Sequence, residues 1–180
     1  MKHLIGVVPL VFLTVACGDE ASRNRAEDPR RHVEAAGGFS FVPPEDWKIR
    51  DIPGMKFKAM IGPSAAGFAP NICTVDELFS GSLDAYVKGN LAAFQEASRK
   101  FPSRKFHLAQ PDDFKTTAGE QGARLVTESE NQGRLLRQTF YFFGKRDTKF
   151  VITCSTLAEG GDKLDSVFET SIKTFRFEKK

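Results

Sequence analysis

Histidine is scarce in this chain, and its scarcity excludes several kinds of catalytic site. Of the 180 residues only three are histidines, and one of these lies close to the N-terminus. The remaining two, His32 and His107, cannot form a histidine metal cluster within one chain. The chain also lacks a Cys-x-x-Cys pair, a phosphate-binding loop and a dinucleotide-binding fingerprint. We therefore expect no metal and no cofactor.

The chain also lacks an apolar run long enough to cross a membrane. Its most apolar stretch covers residues 4–15, is interrupted by Pro9 and ends before Gly18, Asp19 and Glu20. A membrane-spanning helix needs about 20 apolar residues. The N-terminus has the order of a secretion signal peptide: one positive charge at Lys2, then an apolar stretch, then small residues before Cys17. We therefore expect residues 1–16 to be removed.

The residues directly before Cys17 carry more information than the apolar stretch alone. Residues 13–17 read Leu-Thr-Val-Ala-Cys, which resembles the lipobox of bacterial lipoproteins. That resemblance implies that the Cys17 thiol receives a diacylglyceryl group and becomes the new N-terminus. The alternative is an ordinary signal peptide with a cysteine nearby. Two or three acyl chains hold a protein on a bilayer almost permanently, because each buried CH₂ contributes about 0.8 kcal/mol.

Strong charge of one sign is absent as well. The formal net charge is +3, and it falls to +2 when Lys2 leaves with the signal peptide. A charge this small argues against nucleic acid as a partner.

The chain has few cysteines, and their number suits an oxidising compartment. If Cys17 carries the anchor, Cys73 and Cys154 are the two that remain. They could form a disulfide, since exported proteins can keep such bonds. The alternative is two separate buried thiols that behave as small apolar side chains.

Composition divides the rest of the chain into a tether and one domain. Residues 17–37 are rich in charged side chains and have almost no large apolar residue except Val33. Such a segment cannot bury enough surface to order itself, so it predicts a flexible tether after the lipidated cysteine. Residues 38–180 are long enough for a single domain with its own core.

Alternation and helical spacing predict an α+β domain. Ser82 is a plausible N-cap for a long amphipathic helix that continues to about residue 101. A second amphipathic helix includes Leu164 and Phe175, with Asp162 as its possible cap. Turn residues and β-branched runs predict strands at residues 38–43, 47–49, 56–61, 70–76, 106–109, 123–128, 135–143 and 149–156. The last three strands should form an antiparallel meander, with residues 135–143 as a central strand covered on both faces.

Several short motifs together resemble those of the PsbP-like superfamily, which includes bacterial DcrB-type lipoproteins. They are residues 38–43 followed by Trp47, then 70–72, 83–86, 119–125, 150–154 and the closing helix over 168–175. The resemblance covers nearly all of residues 38–178. It implies an antiparallel β-sheet flanked by helices, an α/β/α sandwich, and a non-catalytic assembly, adaptor or accessory role. Its motifs are structural, so no catalytic residue can be transferred.

The groups that could support catalysis each have a simpler interpretation. His107 lies between Phe106 and Leu108 and is interpreted as a strand residue rather than a base. Residues 62–67 read Gly-Pro-Ser-Ala-Ala-Gly, but their surroundings indicate a loop and not the strand-turn-helix of a nucleophile elbow. The pairs Asp112 with Asp113 and Glu128 with Glu130 lie next to turns, where solvated carboxylates are common.

Basic side chains form two groups. Arg99, Lys100, Arg104 and Lys105 surround the end of the first helix, and Lys145, Arg146 and Lys149 follow the central strand. Cations near a helix C-terminus are favourable in themselves. The first group could instead contact anionic lipid head groups or an acidic partner.

These observations predict a membrane-anchored, non-catalytic lipoprotein of the cell envelope. We expect it to face the periplasm or another extracytoplasmic space, and to act as a binding or assembly module with an envelope protein as partner. Two other functions stay open: a carrier whose pocket holds a small apolar ligand or lipid, suggested by the 17 phenylalanines, and a hydrolase.

Overall fold

The fold is known from a computed structural model that describes residues 27–101 and 107–179. Eleven strands and two helices follow one another in this part of the chain. In order they are β1 (His32–Glu34), β2 (Phe39–Phe41), β3 (Lys48–Arg50), β4 (Ala59–Ile61), β5 (Asn71–Leu78), α1 (Leu83–Lys100), β6 (His107–Leu108), β7 (Asp112–Lys115), β8 (Gln121–Asn131), β9 (Arg134–Lys145), β10 (Thr148–Leu157), α2 (Asp162–Lys173) and β11 (Arg176–Phe177).

The strands form one large and one small antiparallel sheet. In the large sheet the order is β3-β4-β5-β10-β9-β8-β6, and β7 also pairs with β8. The small sheet has the order β1-β2-β11. All pairings are antiparallel, so the predicted meander of β8, β9 and β10 is confirmed, and so is the α+β class.

A core lies on each face of the large sheet. The core on the α2 side includes Tyr141, Phe143, Ile152, Phe168 and the small sheet's two β2 phenylalanines. The core on the α1 side includes Leu125, Phe142 and Val151. Because successive side chains of a strand point to opposite faces, β9 and β10 supply both cores. The predicted central strand with two covered faces is confirmed.

Helix α1 begins as expected. The backbone N–H of Ala85 donates to Ser82 Oγ at 3.1 Å, which confirms Ser82 as its N-cap. The Tyr86 hydroxyl donates to Glu77 Oε2 at 2.8 Å, joining the first turn of α1 to β5. Burial and, after it, this hydrogen bond raise the pKa of Tyr86 to about 12.

Helix α2 begins differently from the prediction. Gly161 occupies its N-cap with no side-chain hydrogen bond, and Asp162 is the first helical residue. The prediction that Asp162 caps the helix is therefore wrong. The Asp162 carboxylate still lies at the positive end of the helix dipole. Phe175 follows the helix and is fully buried in the core. Within the described ranges no helix combines the length and apolar character needed to cross a membrane.

Three differences in strand content have physical causes. Strand β1 lies in the segment predicted as a tether and pairs with β2, with Val33 opposite Ser40. Its short run of residues becomes ordered through pairing and ion pairs rather than through its own apolar surface. Strand β7, which contains Asp112 and Asp113, was missed because those acidic residues suggested a turn. The strand predicted over residues 56–61 is reduced to β4, and Phe57 packs edge-on against Phe39 at 5.3 Å.

Candidate functional site

An open cleft lies between the small sheet and the β9–β10 hairpin. Its volume is about 1250 Å³. The lining comes from the β1–β2 turn, from residues on both sides of the β9–β10 turn, from Glu120 and from the chain after β11: Val33, Ala35, Ala36, Gly37, Gly38, Glu120, Gly144, Lys145, Arg146, Thr148, Phe150, Phe177, Glu178 and Lys179.

One wall of the cleft is apolar. Phe177 packs against Phe150 with ring centroids 5.3 Å apart and against Phe175 at 5.1 Å. Ala35 and Ala36 in the β1–β2 turn add small apolar side chains to the lining. Val33 on the outer strand β1 is 53% exposed, but it pairs with Ser40 whereas Phe177 pairs with Phe39, so the side chains of Val33 and Phe177 lie on opposite faces of the small sheet.

Two glycines shape the turn that closes this wall. A Cβ on Gly37 would lie 2.3 Å from a carbon of the Phe39 ring, which has no room to move because Phe39 is in the core. Gly38 has a φ of 62°, a left-handed conformation that glycine adopts at little cost. The Gly38 carbonyl accepts from the Glu178 N–H at 2.9 Å, so the turn and the chain after β11 are held together.

Two cationic residues stand on the opposite side, in the β9–β10 turn. Lys145 Nζ donates to the Glu178 carbonyl at 3.1 Å and lies 5.0 Å from the centre of the Phe177 ring. Arg146 has a φ of 55°. In the described part of the chain its guanidinium has no carboxylate within ion-pair distance.

The buried Lys149 supports this turn from beneath. It is 2% exposed, and its Nζ donates to the Phe79 carbonyl at 2.7 Å and to the Arg146 carbonyl at 3.1 Å. The same Nζ lies 5.6 Å from the centre of the Phe79 ring. One ammonium group therefore ties the β9–β10 turn to the chain between β5 and α1 and fixes the backbone of Arg146.

The two carboxylates of the lining are already engaged. Glu178 Oε1 accepts from Ser40 Oγ at 2.5 Å and from Arg176 Nε at 3.0 Å, and the hydrogen bond from Ser40 and then that from Arg176 lower the pKa of Glu178. Glu120 Oε1 accepts from the Phe177 N–H at 3.2 Å. Glu178 is thus charge-paired with Arg176, whereas Glu120 keeps its negative charge beside the cations Lys145, Arg146 and Lys179 of the lining.

The chemistry of this cleft is suited to binding. Its described lining contains neither histidine, cysteine, serine nor tyrosine, and its polar side chains include Glu120, Lys145 and Thr148. A group of three or more His, Cys, Asp or Glu side chains able to hold a metal ion is absent from residues 27–101 and 107–179.

The predicted cysteine sites have different outcomes. Cys17 lies outside the described residues. Cys73 and Cys154 are free thiols on neighbouring strands, where Cys73 lies opposite Thr153 and Cys154 opposite Ile72. Paired residues share a face and consecutive residues do not, so the two thiols point to opposite faces of the sheet. The structure thus contains two separate thiols and no disulfide between Cys73 and Cys154. Burial raises the pKa of both thiols.

The predicted basic patch is only partly described. Arg104 and Lys105 lie outside the described residues. Arg99 and Lys100 occupy the last turn of α1, and both pair with Glu96, at 2.7 and 3.5 Å. These two cations share one carboxylate and so keep a net positive charge, and neither lines the cleft.

One carboxylate of each candidate catalytic pair, Asp112 and Glu128, is bound in an ion pair. Glu128 pairs with Arg137 at 2.8 Å, and Arg137 also binds Asp165 of α2 at 2.7 Å. Asp112 pairs with Arg124 at 3.0 Å. These side chains connect the sheet to α2 and to β7. His107 lies on strand β6, exposed and opposite Glu128, in keeping with its interpretation as a strand residue.

Sequence reasoning found some residues of the cleft and missed others. The basic group Lys145, Arg146 and Lys149 was visible as a charge cluster. Val33 was assigned to the tether, and only its position between two half-buried polar residues could have suggested a strand. Phe177 gave no separate indication, because the cleft forms from segments far apart in the sequence.

Comparison with known proteins places the fold. No protein-family model and no curated protein matches the chain. Among solved structures, cyanobacterial PsbP (CyanoP) from Synechocystis sp. PCC 6803 is similar with a TM-score of 0.61 and 13% identity, covering 82% of this chain and 91% of that one. LpqN, described as involved in cell envelope biogenesis of Mycobacterium tuberculosis, has a TM-score of 0.53 and 13% identity, covering 78% and 83%. The chain has a PsbP-like fold.

Proposed function

We propose that the chain is a lipid-anchored, non-catalytic binding module of the bacterial cell envelope. The observation that carries this proposal is the position of Cys17, directly after residues that have the pattern of an export leader. The similarity to LpqN, an envelope-biogenesis protein by its description, supports the envelope as its location. The described lining of the cleft, which contains neither histidine, cysteine, serine nor tyrosine, supports binding over catalysis.

The anchor is tested by expressing the full chain in a bacterial host that processes lipoproteins. We expect the mature protein to sediment with membranes, to enter the detergent phase of a phase-separating detergent, and to show a diacylglyceryl mass on the peptide that starts at Cys17. Cys17→Ser should release it into the soluble fraction. Cys73→Ser is the matched control, because it removes a thiol without touching the leader. An unmodified Cys17 peptide would contradict the proposal.

The binding role is tested by crosslinking in intact cells followed by recovery of the chain. We expect one envelope protein to be recovered with the anchored chain and to be lost with Cys17→Ser. Recovery of nothing above background would count against an assembly role. A purified domain that hydrolyses ester, glycoside or phosphate substrates, and loses this activity on a point substitution, would overturn the non-catalytic assignment.

A further inference from the structure

We propose that residues 27–37, which contain β1 and the turn after it, form a strap that opens from the domain while both cores stay folded. Its release frees the outer edge of β2. The strap is the described segment nearest to Cys17 in the chain, so its opening also changes how far the domain can move from an anchor. That consequence rests on the proposed function, whereas the opening itself follows from the contacts of the strap.

The strap contributes little apolar burial. None of its residues is fully buried, whereas all three residues of β2 are. In the strand pairing the polar residues His32 and Glu34 lie opposite the two phenylalanines of β2, and the aliphatic Val33 is 53% exposed. Because burial of apolar surface is the main favourable contribution to folding, closing the strap gains little from it.

The strap also carries buried polar atoms that lack hydrogen bonds. Arg31 Nε and His32 Nε2 are buried without a hydrogen-bond partner, and in the described part of the chain they are the only such side-chain nitrogen or oxygen atoms. Glu27 Oε1 and Glu34 Oε2 lie 3.6 Å from these two nitrogens, which is too far for a hydrogen bond. Opening returns both nitrogens to water, so it removes the cost of burying them unpaired.

A few polar contacts hold the strap closed. Arg31 Nη1 donates to Ser40 Oγ and to the Thr174 carbonyl, each at 3.0 Å. The Glu27 carboxylate pairs with Arg176, and the side chains of this ion pair are 58% and 36% exposed. Ion pairs at such exposure contribute little stability, so the strap is held mainly by Arg31 and by the short pairing of β1 with β2.

The surface under the strap is satisfied without it. Ser40 Oγ donates to Glu178 Oε1 at 2.5 Å, and Arg176 Nε donates to the same oxygen at 3.0 Å. These contacts join β2 to β11, which also pair as strands. Opening of the strap therefore leaves neither Ser40 nor Arg176 without a partner, and β2 stays in the small sheet.

Release of the strap lengthens the chain between an anchor and the domain. The strap lies along the domain when it is closed, and as an extended chain its residues span at most about 40 Å. A domain anchored through Cys17 gains up to that much reach on opening. The strap is thus an extensible part of the tether.

Hydrogen exchange measured by mass spectrometry tests the strap in the chain from residue 17 with Cys17→Ser. Amides that exchange by local opening respond to different substitutions from those that need global unfolding. Glu27→Gln removes a carboxylate that holds the strap, so we expect exchange in the strap to become about threefold faster, with exchange in β10 and the thermal midpoint unchanged. Glu96→Gln is the matched control, because Glu96 also pairs with two cations, at the end of α1. It should leave exchange in the strap unchanged.

His32→Leu tests the unpaired nitrogen in the same assay. Leucine places an apolar side chain opposite Phe41 and leaves no unpaired polar atom there, so we expect exchange in the strap to become about threefold slower. His107→Leu is the matched control, since His107 is an exposed histidine on the edge strand β6. It should not change exchange in the strap.

Exchange that rises in parallel in the strap and β10 of Glu27→Gln, or strap exchange that does not respond to Glu27→Gln, would overturn this inference. Strap exchange that is unchanged or faster in His32→Leu would overturn the role of the unpaired nitrogen. If His32→Leu fails to fold, as judged by its thermal transition, Glu27→Gln decides.

The assay uses an unanchored chain, so its result does not depend on lipidation of Cys17. Independent opening together with an unmodified Cys17 would leave the strap standing and refute only its effect on reach. A lipidated protein whose strap opens only with the whole domain would do the opposite.

Discussion

At the scale of single residues, the same substitution should have opposite effects at two glycines. Gly37→Ala would place a methyl group 2.3 Å from the Phe39 ring, and overpacking of a core commonly costs about 1–3 kcal/mol. Gly89→Ala, exposed within α1 with nothing near its added Cβ, should stabilise by up to about 1 kcal/mol, because alanine favours a helix. Urea unfolding measures both free energies, and equal signs for the two variants would contradict this account.

The two thiols should be slow to react, for a reason that lies in their burial. Burial disfavours the thiolate and raises the pKa of Cys73 and, further, of fully buried Cys154, and the thiolate is the nucleophile. We expect iodoacetamide at pH 8 to label Cys73 more slowly than a thiol in an unfolded peptide, and Cys154 only after denaturation. The labelling rate of Cys73 should rise with pH later than that of the unfolded control. Rapid labelling of native Cys154 would refute this.

At the scale of elements, Arg137 of β9 connects the sheet to α2, as does Arg124 of β8 through Glu169 at 3.3 Å. Arg137 binds Asp165 through two nitrogens, at 2.7 and 3.1 Å, and Glu128 at 2.8 Å. Asp165 is the main cause of the raised pKa of Arg137, which stays charged at every working pH. Two parallel hydrogen bonds between a guanidinium and a carboxylate are among the stronger polar contacts.

A double-mutant cycle measures this connection. We expect a coupling free energy of about 1–2 kcal/mol between Arg137→Ala and Asp165→Ala, because the pair is bidentate and partly shielded from water. The exposed pair Lys88 and Asp84, at 2.8 Å along α1, is the control and should couple by less than about 0.5 kcal/mol. Similar coupling in the two pairs would mean that burial and bidentate geometry add nothing here.

At the scale of the whole molecule, the two cores share strands β9 and β10. Leu125, Phe142 and Val151 of β8, β9 and β10 face α1, while Tyr141 and Ile152 of β9 and β10 face α2. Loss of packing on one face would expose apolar surface on the other face of the same strands. The described domain should therefore unfold in one cooperative transition.

Two probes can test this cooperativity. Trp47, which packs edge-on against Phe168 at 5.7 Å, reports the α2 side by fluorescence, and far-UV circular dichroism reports the helices, of which α1 is the longer. We expect the urea midpoints from the two signals to coincide. A loss of helix signal at lower urea, before the Trp47 change, would indicate that α1 unfolds on its own.

The sequence by itself determined the features that depend on local pattern. Helical spacing and the Ser82 cap set α1, and turn residues between apolar runs set the meander of β8, β9 and β10. Consecutive apolar residues at the end of β9 indicated a strand buried on both faces, because alternate residues of a strand point to opposite faces. An export leader and the lipidation of Cys17 stay predictions from sequence, and both rest on adjacent residues.

Only the tertiary structure decided what depends on contacts between distant segments. Strand β1 becomes ordered because β2 pairs with it and Arg176 holds Glu27, and its own composition carries no such information. The register of β5 against β10 decided whether the Cys73 and Cys154 thiols could form a disulfide. A shift of one residue in register moves a side chain to the other face of the sheet. The cleft joins Ala36, Lys145 and Phe177, which lie more than thirty residues apart in the chain, so its lining exists only once the two sheets have packed.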